Sequence, residues 1–93
     1  MVPTILRIGR YVVYFWSNEN NPREFIHVHI SVKNPSPNST KLWITSDGKV
    51  LVCNNNSKIP EYGLWRLIED IERDSDVVIR AWRKRFGEIH YIR

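Results

Sequence analysis

The sharpest pattern along the chain lies between residues 26 and 33, where Ile26, Val28, Ile30 and Val32 alternate with His27, His29, Ser31 and Lys33. Successive side chains of a strand point to opposite faces. This period of two therefore predicts a β-strand with four apolar residues turned into the core together and both histidines on the other face. Thr4–Ile8 and Tyr11–Ser17 flank Gly9-Arg10, a two-residue connection whose glycine can take the positive φ of a tight hairpin. The second arm is apolar at every position from Tyr11 to Trp16, which predicts a central strand covered on both faces. Asn18, Asn20, Asn21 and Pro22 then supply a turn-forming loop. Leu42 and Ile44 alternate with Lys41, Trp43 and Thr45; after the turn at Ser46-Asp47-Gly48, Val50 and Val52 alternate with Lys49, Leu51 and Cys53.

After Pro60 the period changes. Leu64, Leu67, Ile68 and Ile71 recur at three and four residues, one stripe of a helix that can lie on the sheet, with Pro60 tolerated in its first turn. Asp74 or Ser75 either caps a second helix or marks a bend in one long one. The second stripe is Val78, Ala81, Trp82 and Phe86, with Arg80, Arg83 and Lys84 facing outward and Gly87 as the stop. Ile89 to Arg93 can add a short edge strand. The predicted fold class is α+β: a mostly antiparallel sheet of about five strands, followed by two C-terminal helices packed on one face. Ninety-three residues leave no room for a second core, so one compact domain over 1–93 is expected.

Composition narrows the function classes. A hydrophobic share of 42% with 26% charged residues describes a chain that folds alone rather than a disordered one. The apolar run Tyr11 to Trp16 is far short of the roughly 20 residues that span a bilayer, and no secretory leader pattern opens the chain, so a cytoplasmic protein without a membrane partner is expected. Cys53 alone makes neither an internal disulfide nor a multi-thiolate zinc site, and reads as a small buried hydrophobe; Trp16, Trp65 and Trp82 read as core. Phosphate loop, G-x-S-x-G elbow and H-E-x-x-H helix are all missing, which removes nucleotide hydrolysis, serine chemistry and zincin proteolysis. The net charge of +4 falls entirely on residues 80–93, where Arg80, Arg83, Lys84, Arg85 and Arg93 face one acid, Glu88. Such a basic end meets phosphates or an acidic partner, or simply complements a helix C-terminus.

The candidate chemistry centres on His27 and His29, side by side on one strand face. Paired imidazoles can act as acid and base at neutral pH, taking a 2′-hydroxyl proton and protonating a leaving oxygen. They can also ligate a metal, or contact a phosphate or base. A metal needs more ligands than the distant His90 and scattered carboxylates such as Glu24 and Glu88 offer, so no metal and no cofactor is assigned. A solvated strand face that happens to carry two histidines is the bland alternative. If strands 26–33 and 41–45 pair, Lys33, Lys41, Trp43 and Thr45 share the polar face with the histidines and Ser31. Lysines attract the RNA backbone and an exposed tryptophan stacks a base, unless Trp43 is covered by a helix instead.

The stretches Pro3-Thr4-Ile5-Leu6-Arg7-Ile8-Gly9, Tyr14-Phe15-Trp16-Ser17-Asn18-Glu19 and His27-Val28-His29-Ile30, with Trp82 and Phe86-Gly87, resemble a small prokaryotic and phage family, domain of unknown function 4160. The resemblance implies one half of a type II toxin–antitoxin pair, with a small antitoxin-like partner protein encoded beside it and, by analogy with other small basic toxins, an RNA-cleaving or translation-blocking activity. Arg23-Glu24-Phe25-Ile26 stands where the family tends to place prolines, and the segment from Asn34 to Asn56 carries an extra hairpin. Two functions follow as expectations. In the first, a toxin-like module binds RNA through Lys33, Lys41, Trp43, Arg80, Arg83 and Lys84 and cleaves it without metal through His27 and His29. In the second, a non-enzymatic module holds an acidic partner protein on its basic C-terminal helix.

Overall fold

The computed structural model describes residues 4–20 and 23–93; Pro3, Asn21 and Pro22 of the stretches named above lie outside them. Five strands, β1 (Thr4–Ile8), β2 (Tyr11–Tyr14), β3 (His27–Val32), β4 (Thr40–Ile44) and β5 (Val50–Asn54), form one sheet in chain order, every neighbouring pair antiparallel. The β1–β2 hairpin turns at Gly9, whose φ of 59° an L side chain rarely adopts. β2 stops three residues short of Ser17. The Glu19 carboxylate captures the Trp16 N–H (Oε2, 3.0 Å) and the Glu19 N–H returns to the Trp16 carbonyl (3.1 Å), so a local turn replaces the ladder.

Two helices follow, α1 (Glu61–Arg73) and α2 (Ser75–Phe86), separated by Asp74 alone. Asp74 serves as the boundary of both and makes no side-chain cap, and Gly87 ends α2 in the left-handed region at φ 77°. Leu67, Ile71, Val78 and Trp82 are buried against Val13, Val28, Ile30, Leu42 and Ile44 of the sheet. Each such aliphatic side chain contributes about 1.5–3 kcal/mol on removal from water. None of the described helices is long and apolar enough to cross a membrane.

Four expectations are corrected here. The outer face of β3 is not open: His27 is 0% and His29 8% exposed, because β3 is the middle strand and polar loops, with the Trp82 ring of α2 beside His27, cover that side. The Tyr14 hydroxyl accepts from the Ser36 N–H (2.9 Å), donates to the Ser36 carbonyl (2.8 Å) and meets Ser39 Oγ, drawing the 34–39 loop over that face. Trp65, beside the inward stripe of α1 rather than in it, is 60% exposed. Cys53 is exposed because β5 is the last strand and lacks an outer neighbour. Residues 89–93 form no strand; the Ile26 N–H donates to the His90 carbonyl (2.8 Å) and the Ser46 N–H to that of Arg93 (2.9 Å), pinning the tail at two points.

Candidate functional site

The alternation of β3 puts His27 and His29 on the same face, as the period of two requires, and the turn after β2 brings Glu19 over them. Glu19 Oε1 lies 2.8 Å from His27 Nε2 and 2.7 Å from His29 Nε2. Its other oxygen is occupied by the Trp16 N–H, which fixes the direction in which Oε1 points. Asn20, at φ 69°, locks the loop from the far side: its Oδ1 accepts the Glu24 N–H (2.8 Å) and its Nδ2 reaches Glu88 Oε1 (3.2 Å). Left-handed backbone is tolerated by asparagine better than by most residues.

Aromatic rings wall the histidines. Tyr14 stacks on His29 with centroids 5.6 Å apart, and His27 stands edge-on between His29 and Trp82, 5.2 Å from each. His27 lies beyond the last β2–β3 pair, Tyr14 with His29, which leaves room for the Trp82 ring from α2. Burial would push the Glu19 carboxyl upward, but its contacts with His27 and His29 and their charge outweigh burial and hold it at about 2 against an ordinary 4.5.

Beside this cluster the same sheet face opens into a groove of about 350 Å³ lined by Arg23, Glu24, Phe25, Lys41, Trp43 and His90. Trp43 is the cross-strand partner of His27 and Lys41 that of His29, so the register of β3 with β4 sets the groove next to the histidines. Lys41 Nζ stands 3.8 Å from Glu24 Oε1, a loose contact that leaves the ammonium available.

Residues 11–83 match a family model described as a domain of unknown function, DUF4160. The chain belongs to the DUF4160 family. No curated protein and no solved structure matches it.

Within this DUF4160 protein the residues singled out from sequence separate into four places. Lys41 and Trp43 share the groove, where Trp43 is half-buried rather than sealed beneath a helix. His27 and His29 lie behind it, turned toward Glu19. Lys33 sits past the end of β3 in a left-handed turn (φ 65°), and Arg80, Arg83 and Lys84 line the exposed side of α2, so neither set borders the groove. Glu19 is the residue that sequence reasoning missed. Its only signal is position: it ends the Tyr14-to-Glu19 stretch that carries the family likeness, and it lies inside the matched region.

Proposed function

We propose that this protein is a toxin-like module that binds single-stranded RNA in the groove between β3, β4 and the C-terminal tail. The observation that carries the reading is the lining of that groove, in which the Trp43 and Phe25 rings lie among the cations Arg23 and Lys41 and the imidazole of His90, with one carboxylate, Glu24; Arg23 also stands 3.4 Å from Glu88. Aromatic faces accept any base, and flanking cations track the phosphates. Binding is favoured over metal-free cleavage. Acid–base cleavage needs one imidazole nitrogen at the 2′-hydroxyl and another at the leaving oxygen, whereas both Nε2 atoms face Glu19 and His27 has no exposed surface.

Fluorescence anisotropy with a labelled single-stranded RNA tests this. Trp43→Ala is expected to weaken binding about 5- to 150-fold, the loss of ~1–3 kcal/mol of stacking. Lys41→Ala is expected to reduce the salt slope by about 0.7, one phosphate contact on a single strand. Binding unaffected by Trp43→Ala, or no salt-dependent binding by the wild type, would remove the reading.

A second reading is favoured by α2, where Arg83, Lys84 and Arg85 are all exposed on the last turn and Arg80 is held to Asp76 at 3.3 Å. This patch suits an acidic partner protein of the antitoxin type, with charge setting the association rate. Arg83→Glu with Lys84→Glu is expected to slow association with such a partner at least tenfold at low salt and to leave RNA affinity in the groove unchanged. Equal association rates would reject the helix as the contact.

A further inference from the structure

The polar contacts around His27 leave one position that ordinary hydrogen bonding does not satisfy. His27 Nδ1 lies 2.8 Å from the Phe25 carbonyl oxygen, which can only accept, so Nδ1 carries a proton. In the neutral ring Nε2 is then a bare lone pair. That atom is fully buried, finds no hydrogen-bond partner among the described residues, and lies 2.8 Å from Glu19 Oε1, which is itself electron-rich. Two such atoms at this separation need a positive centre between them. A proton on Nε2 supplies that centre at His29, whose 2.7 Å contact with Glu19 Oε1 is a hydrogen bond, but at His27 the contact is too poorly aligned to count as one. A metal ion fits the misalignment, because ligand atoms face the ion and not one another.

We propose that Glu19 Oε1, His27 Nε2 and His29 Nε2 form a three-ligand site for a divalent transition-metal ion of the zinc class. The donor set of two imidazoles and one carboxylate is one that mononuclear zinc uses when it keeps its remaining position for water. The three side chains can bring donor atoms within 4.8 Å of one another. Tetrahedral bonds of about 2.0–2.1 Å place ligand atoms about 3.3 Å apart, so the carboxylate has to draw back from each ring by about half an ångström. Outer partners are in place for two of the three ligands, whereas His29 Nδ1 is buried and finds no hydrogen-bond partner among the described residues. The Phe25 carbonyl orients His27 through Nδ1, the usual second contact of a metal-bound histidine, and the Trp16 N–H orients the carboxylate through Oε2. An entry path exists as well, since Glu19 borders a surface depression with Asn20, Arg85 and Glu88. Bound there, the ion ties the 15–20 loop to the middle strand of the sheet. The site does not depend on RNA occupying the groove.

Full-length protein without a polyhistidine tag, stripped with chelator and dialysed, is to be titrated with Zn²⁺ by calorimetry, and with Co²⁺ as a spectroscopic probe. One equivalent of Zn²⁺ is expected, with visible absorption from low-symmetry Co²⁺ and a melting temperature raised by about 10 °C or more at 100 times Kd. Losing an outer partner of a metal ligand costs about 10–100-fold in affinity, so losing a ligand in Glu19→Gln or His29→Ala is expected to cost at least that much. Circular dichroism on both variants identifies any that fails to fold, and the conservative Glu19→Asp, which keeps a carboxylate, is expected to retain measurable Zn²⁺ binding. Absence of stoichiometric binding by the wild type, or wild-type affinity in folded Glu19→Gln and His29→Ala, would overturn the site. Failure of RNA binding would leave it standing.

Discussion

Trp82→Ala is expected to lower the stability of the protein by about 3–5 kcal/mol, the loss typical of deleting a fully buried aromatic ring. Trp82 has no exposed surface and is the largest fully buried side chain. Its ring meets Phe15 at 5.0 Å, Phe86 at 4.6 Å and His27 at 5.2 Å, so one residue of α2 contacts the residue that follows β2, its own helix and the candidate site. The neighbours come from three separate elements and have no common direction in which to collapse, which places the cost toward the upper part of the range. Small domains are stable by only about 5–15 kcal/mol, so much of the native state's margin goes with this ring. Urea denaturation followed by circular dichroism is expected to show a lower midpoint at unchanged slope. The indole Nε1 makes no hydrogen bond among the described residues, so Trp82→Phe loses packing area only and should be much milder. Trp43→Ala, in a half-exposed groove residue, should cost far less than Trp82→Ala. A Trp82→Ala loss below about 1 kcal/mol would show that α2 is not anchored through this ring.

The contrast between these two tryptophans shows how far the sequence could be read. Periodicity identified the elements because it reflects burial directly. Ile26, Val28 and Ile30 and the stripes Leu67–Ile71 and Val78–Trp82 each became one face of the core, whereas Val32, expected to join them, is 43% exposed at the end of β3. Gly9 and Gly87 were legible because positive φ there excludes other residues cheaply. What alternation leaves open is the fate of the second face of a strand. It placed His27 and His29 opposite the aliphatic residues correctly, but a polar face can be open to solvent or covered by a polar loop, and the two patterns look alike. The cover here comes from Glu19, Tyr14, Ser36 and Ser39, whose role rests on side-chain hydrogen bonds across separations of up to 25 residues that no local period encodes. The groove was half legible for the same reason: Lys41 and Trp43 follow from strand pairing, whereas Arg23, Phe25 and His90 arrive from a loop and from the tail.

Glu19 also makes the site sensitive to acid, with a sign that follows from its contacts. Its folded-state carboxyl is held at about 2, below the ordinary 4.5, so its ionised form is bound more tightly in the native state than in the unfolded chain. That contribution is complete above about pH 4.5 and is lost as pH falls through about 2, where the carboxylate is protonated in both states. At 1.36 kcal/mol per unit, and discounted for the solvent that still reaches the carboxylate, it is on the order of 1–3 kcal/mol. Glu88 and Asp47 are also held below their ordinary ranges, Glu88 by Arg23, Asn20 and His90 against the effect of burial, and Asp47 chiefly by Thr45. The measurement is therefore a difference. Chelator-treated wild type and Glu19→Gln are to be unfolded by urea at a series of pH values from 7 down to 2. The stability gap is expected to be widest above pH 4.5 and to close as pH 2 is approached, with Glu19→Gln retaining only the slope due to Glu88, Asp47 and the remaining acids. A gap that stays constant across that range would mean that Glu19 supports the loop through its shape and its Trp16 contact, and that its charge toward the two imidazoles contributes nothing to folding.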